Sequence, residues 1–107
     1  MRPRRVELLY FDGCRNYERT HALVERVAAE LELASTIDLV EVDDPDAAVA
    51  HRFLGSPTVR VDGRDVEPGA DERHEFVLAC RVYQTDAGPV GAPKEEWVRD
   101  TLTEAAE

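Results

Sequence analysis

The strongest constraint on the fold lies near the start of the chain, where one apolar pattern gives way to another within a few residues. Val6-Glu7-Leu8-Leu9-Tyr10-Phe11 is an apolar, partly β-branched and aromatic run closed by the turn pair Asp12-Gly13, which reads as a buried strand. From about Asn16 the period changes: Tyr17, Leu23, Val24, Val27, Ala28 and Leu31 recur at three- and four-residue steps, while Glu18, Glu25, Arg26 and Glu30 face away. That pattern is an amphipathic helix of about four turns. Ile37-Asp38-Leu39-Val40-Glu41-Val42 then supplies a second strand with partial alternation. Strand, helix and strand in that order require parallel pairing of the two strands through a right-handed crossover.

The rest of the chain adds elements of a different kind. Asp44-Pro45 opens a short helix through Ala50 and Phe53, with Pro45 suited to the first turn and the nearby Asp43, Asp44 and Asp46 explained as capping. Leu54-Gly55-Ser56-Pro57 breaks that helix, and Thr58-Val59-Arg60-Val61 alternates as a half-buried strand. Asp62-Gly63 is a two-residue hairpin turn that returns the chain through Arg64-Asp65-Val66. Beyond Pro68-Gly69, the stretch from Glu72 to Ala79 reads as one or two turns of helix, and Cys80-Arg81-Val82-Tyr83 as a short strand. A Gly/Pro-rich loop from Asp86 to Pro93 precedes a last helix from Lys94 to Ala106, with Trp97, Val98 and Leu102 on one face and Trp97 as its core anchor. The expectation is one α/β domain over residues 1–107: a mixed four-stranded sheet flanked by helices, with an insert before the last helix.

Charge narrows the partners. The 107 residues carry 13 Lys+Arg against 23 Asp+Glu, a net charge of −10 with His neutral. Such a surface repels phosphate backbones and anionic lipid, so no nucleic acid and no membrane is expected as a partner. No apolar run approaches the roughly 20 residues of a membrane span. The first residues carry arginines but no apolar core or cleavage pattern, so a cytoplasmic protein is expected. His21, His51 and His74 share no ligand spacing, and Gly88, Gly91 and Pro93 do not form a phosphate loop. No metal and no cofactor is expected.

The two cysteines, Cys14 and Cys80, are too few for a disulfide scaffold and form no Cys-x-x-Cys pair. Cys14 falls where the first strand hands over to the first helix. Unpaired backbone N–H groups and the positive end of the helix dipole converge there and favour a thiolate. Arg15 and Arg19 add to that effect, whereas Asp12 and Glu18 oppose it. The alternative for either cysteine is a small buried hydrophobe.

Two segments carry a resemblance. Val6-Glu7-Leu8-Leu9-Tyr10-Phe11-Asp12-Gly13-Cys14 is similar to the opening of a glutaredoxin, in which a strand leads through Pro-Gly to a nucleophilic Cys. Gly55-Ser56-Pro57-Thr58-Val59-Arg60-Val61-Asp62-Gly63 resembles the second half of the thioredoxin-like superfamily, with a cis-proline before the third strand and a hairpin into the fourth. The resemblance implies a thioredoxin-like fold, a cis Pro57, and Ser56 facing Cys14 in a substrate cleft. A cis X-Pro bond occurs in only about 5–6% of cases in folded proteins, so that expectation is sharp. Asp12 and Arg15 would border the same cleft.

Departures from the family pattern shape the functional expectation. Tyr17 occupies the place of the resolving cysteine, so Cys14-Arg15-Asn16-Tyr17 forms no vicinal disulfide, and the Tyr17 phenol is left to hydrogen-bond or pack over the thiolate. The chain is more similar to small bacterial thioredoxin-like proteins with Phe-x-Gly-Cys-Pro-Asn, a Ser-Pro-Thr loop and a later Cys-Arg-x-Tyr, with Arg15 in place of their proline. Cys80-Arg81-Val82-Tyr83 followed by Pro93, Glu96 and Trp97 resembles the C-terminal part of alkylmercury lyases, whose chemistry needs two thiolates and an acid. Under that resemblance Cys14, Cys80 and Asp12 would form the trio, since soft thiolates suit soft metals.

Three functions follow for comparison. The first is a thiol-disulfide oxidoreductase or thiol-reactive protein acting through Cys14 on a thiol or disulfide substrate, with Cys80 as a resolving partner if the insert folds back. The second is soft-metal or organomercurial handling by both cysteines. The third is a non-catalytic binding module that keeps the fold.

Overall fold

A computed structural model describes residues 4–33 and 35–106. Its centre is a four-stranded sheet in the order β2-β1-β3-β4, built from β1 (Arg4–Tyr10), β2 (Ser35–Glu41), β3 (Thr58–Val61) and β4 (Arg64–Asp65). β1 pairs parallel with β2 and antiparallel with β3, and β3 pairs antiparallel with β4. The parallel first pair and the late antiparallel hairpin are the two features expected from the element order. Asp62 and Gly63 both take positive φ, 51° and 86°, the pairing that a tight two-residue hairpin needs.

β1 is apolar along nearly its whole length because it is buried on both faces. On one face Val6 and Leu8 pack with Val24, Val27 and Ala28 of α1 (Tyr17–Glu30) and with Val98 and Leu102 of α3 (Glu95–Ala106). On the other, Leu9 packs with Val42, Ala48 of α2 (Pro45–Ala50) and Phe53. Asp44 caps α2 by accepting a hydrogen bond from Ala47 N at 2.7 Å, with Pro45 in the first turn. Trp97 is half-buried against the first cluster, so it lines the core rather than filling it. Among the described residues no helix is long and apolar enough to cross a membrane.

The insert departs from expectation in two places. No helix forms from Glu72 to Ala79; a single 3-10 turn at Ala70–Glu72 is followed by irregular chain. The backbone there bonds to other parts of the molecule, with Val77 N donating to Phe53 O at 2.9 Å and Ser56 N to Ala79 O at 2.8 Å. Those long-range bonds replace the local ones a helix would have used. The expected strand from Cys80 to Tyr83 and loop from Asp86 to Pro93 are shifted likewise. A hairpin of β5 (Tyr83–Thr85) and β6 (Gly88–Val90) occupies part of both, and Cys80 makes only an isolated parallel bridge to Ser56. The side chain of Thr85 organises the turn, donating to Gly88 O at 2.7 Å and accepting from Ala87 N at 3.2 Å.

α1 and α3 are also joined at the surface. Arg26 donates to Glu30 (2.9 Å) and Glu95 (2.6 Å), and Arg99 donates to the same two carboxylates at 2.5 and 2.8 Å. Hydrogen bonds from Arg26 and then Arg99 lower the Glu95 pKa from 4.5 to about 2, and those from Arg99 and then Arg26 lower that of Glu30. A carboxylate whose folded pKa is depressed contributes stability above its unfolded pKa and loses it as pH falls through the folded value. The network therefore adds its full share above about pH 4.5 and loses it towards pH 2. Urea titrations across that interval should show a shallower loss of stability for Glu95→Gln than for wild type. The difference should shrink in high salt, because these groups are exposed.

Candidate functional site

β1 ends at Tyr10, and the chain turns through Phe11–Asn16 into α1, whose N-cap is Asn16. Cys14 lies inside that turn, two residues ahead of the cap, with its N–H donating to Phe11 O at 3.2 Å. It is only 8% exposed. It belongs to neither hydrophobic core cluster.

The Ser56–Pro57 loop reaches the same place. The peptide bond between these residues is cis, as the resemblance implied. Ser56 is fully buried, and its hydroxyl accepts from Phe11 N at 3.3 Å. One residue, Phe11, thus ties down both loops, through its carbonyl to Cys14 and through its N–H to Ser56. Ser56 was expected to face Cys14; the bond its hydroxyl makes is with the Phe11 amide.

The remaining candidates take different positions. Tyr17 is half-buried with its ring edge-on to Tyr10, centroids 4.4 Å apart, so it packs against the last residue of β1. Partial burial and then neighbouring Glu18 push its phenol pKa up, so it remains a protonated donor at neutral pH. Asp12 and Arg15 are both exposed, and among the described residues neither makes an ion pair. Cys80 is exposed, which removes the reading of it as a buried core residue. Both cysteines are free thiols, one buried and one on the surface. Of the histidines, His74 lies in the irregular insert rather than on a helix, and His51 just past α2. Among the described residues no group of three or more His, Cys, Asp or Glu side chains could hold a metal ion.

The residues that organise this region most strongly had no functional part in the sequence reading. Arg81 and Tyr83 point inward while Cys80 and Val82 between and before them point out. The Arg81 side chain is 1% exposed and donates to Thr58 Oγ1 (2.9 Å), to both Asp65 oxygens (2.8 and 3.1 Å) and to Glu67 (2.7 Å). Its guanidinium also lies 4.3 Å from the Tyr83 ring centroid. Burial alone would favour neutral arginine, but the Asp65 and Glu67 carboxylates outweigh it and hold its pKa above the ordinary value. Burial pushes the Tyr83 phenol up, so it stays protonated and donates to Pro57 O at 2.5 Å. The available signal was the alternation in Cys80-Arg81-Val82-Tyr83: as a half-buried strand it puts a cation on the inner face, which only a carboxylate partner can stabilise.

The hairpin of the insert comes back onto the start of α1. Gly91 packs so closely that a Cβ on it would fall 2.3 Å from Asn16 Nδ2. Beside it a groove of about 420 Å³ is lined by Arg19 of α1, Thr85 and Val90 of the hairpin, and Pro93 and Lys94 before α3. No protein-family model matches the chain, and no curated protein does.

Proposed function

We propose that this chain is a thioredoxin-like thiol protein that exchanges disulfides through Cys14. The observation that carries the reading is the double anchoring at Phe11, which gathers the Cys14 turn and the Ser56–Pro57 loop at the C-terminal end of the central strand. Ligands of open α/β sheets bind outside the carboxyl ends of their strands. The sheet order β2-β1-β3-β4, with one parallel and two antiparallel pairings, supports the thioredoxin-like reading.

The Cys14 thiolate attacks one sulfur of a disulfide R–S–S–R′, forming Cys14–S–S–R and releasing R′–S⁻. Tyr17 stands where a vicinal thiol would resolve the adduct, so the second thiol comes from solution or from Cys80. A solution thiol R″–SH attacks the R sulfur, forming R–S–S–R″ and releasing the Cys14 thiolate. Alternatively, Cys80 attacks the Cys14 sulfur, releasing R–S⁻ and leaving a Cys14–Cys80 disulfide that excess solution thiol reduces. A reducing compartment such as the cytoplasm, where free thiols persist, is the setting for such a protein.

Turnover of a small disulfide in the presence of excess thiol tests the reading. Cys14→Ser should abolish turnover, and Cys80→Ser should retain the first exchange step whichever thiol resolves the adduct. Unchanged turnover in Cys14→Ser overturns the proposal.

A further inference from the structure

Extended peptides bind by adding a strand to an exposed edge, where unpaired main-chain N–H and C=O groups give them affinity. At the candidate site the segment that would offer such groups is the Ser56–Pro57 loop, which leads directly into β3. Pro57 has no N–H to offer, so Ser56 is the residue that can supply both groups. Both are already occupied from within the chain. Ser56 N donates to Ala79 O, and Arg81 N donates to Ser56 O, each at 2.8 Å, which places Cys80 directly alongside Ser56.

Resting on the thiol reading above, we propose that residues 79–81 form a built-in strap in the position of a peptide substrate, so that Cys14 serves low-molecular-weight thiols and disulfides rather than extended polypeptides. The strap is fastened at three points. Arg81 is locked to Asp65, Glu67 and Thr58, Tyr83 donates to Pro57 O, and Gly55 approaches so closely that a Cβ there would lie 2.9 Å from Arg81 Cβ. Lifting the strap to admit a peptide would break the two Ser56 bonds and uncover a buried cation with its carboxylates. A small disulfide needs no strand edge and leaves all of this in place.

The test uses the Cys80→Ser protein, so that adducts report on Cys14. It compares bis(2-hydroxyethyl) disulfide with the same hydroxyethyl disulfide carried on the central cysteine of a short extended peptide, following Cys14 adducts by mass. A peptide can lie in the cleft only by displacing the strap, which breaks two main-chain hydrogen bonds, whereas the small probe breaks none, so the small probe should react roughly ten-fold faster or more. Tyr83→Phe, which frees Pro57 O from its phenol, should narrow the gap by raising the peptide rate alone. Equal rates for the two probes, or a gap that Tyr83→Phe leaves untouched, overturn the strap while leaving the thiol reading standing. Absence of any Cys14 adduct with either probe overturns the thiol reading itself. Amide exchange in the unmodified protein adds a measurement that needs no substitution: Ser56 and Arg81 should be protected like the β1 amides, and rapid exchange at either contradicts the strap.

Discussion

Arg81→Leu should lower unfolding stability by about 3–5 kcal/mol at neutral pH, the range found when one partner of a buried ion pair is removed. The Asp65 and Arg81 side chains are 2% and 1% exposed, so solvent cannot take over the lost contacts. Leucine leaves the Asp65 carboxylate buried without its two guanidinium bonds, leaves the Glu67 carboxylate without its Arg81 contact, and removes the donor to Thr58 Oγ1. A domain of this size has about 5–15 kcal/mol in total, so the variant would be marginal. Arg81→Lys should recover only part of the loss, because one ammonium cannot reproduce the two-pronged contact with Asp65. Adding Asp65→Leu to Arg81→Leu should restore much of the stability, since replacing both members of a buried pair by apolar groups is often neutral. A loss below about 1 kcal/mol in the single variant, read from urea titration, would mean that the network is solvated rather than buried.

Gly55→Ala should be comparably damaging for a different reason. Gly55 takes φ +119°, a conformation costing an L-residue about 1–3 kcal/mol. The added methyl would also meet Arg81 Cβ at 2.9 Å, Arg81 Cα at 3.0 Å and Ala79 O at 3.1 Å. Two of those three atoms are backbone, so relief requires moving the strap itself, and overpacking of that kind costs about another 1–3 kcal/mol. A fall in melting temperature of roughly 10 °C or more follows from a combined loss near 3 kcal/mol. A variant melting within a degree or two of wild type would show that the strap does not press on the loop. Because Gly55, Ala79 and Arg81 are in contact, Gly55→Ala and Arg81→Leu should not add.

Different parts of the molecule were legible in the sequence to different degrees, for physical reasons. Periodicity exposed β1, α1 and α3, because each buries one stripe or two faces against the core, and burial is what repeats. The turn at Asp62-Gly63 was readable because both residues must adopt positive φ, which few residue types tolerate. The loop at Ser56-Pro57 came from its motif. The insert was not readable in the same way. Phe76, Val77 and Leu78 look like helix material, yet Val77 and Ala79 spend their backbone groups on Phe53 and Ser56. A bond between residues so far apart leaves no local period. Cys80 was singled out for its thiol, but the neighbours that organise the region, Arg81 and Tyr83, were quoted only as part of a resemblance. Their importance depends on Asp65, Glu67 and Pro57 meeting them in space.

Under the proposed function the reactive thiol is the less accessible cysteine, so a single measurement is decisive. Wild-type protein is exposed briefly to a limiting amount of a small disulfide, and the adduct is mapped by mass to Cys14 or Cys80. If the Cys14 turn is a site, the first adduct forms on Cys14 despite its 8% exposure, and added thiol removes it. An adduct confined to exposed Cys80, with Cys14 untouched until the protein unfolds, would make Cys14 an inert buried residue and contradict the account.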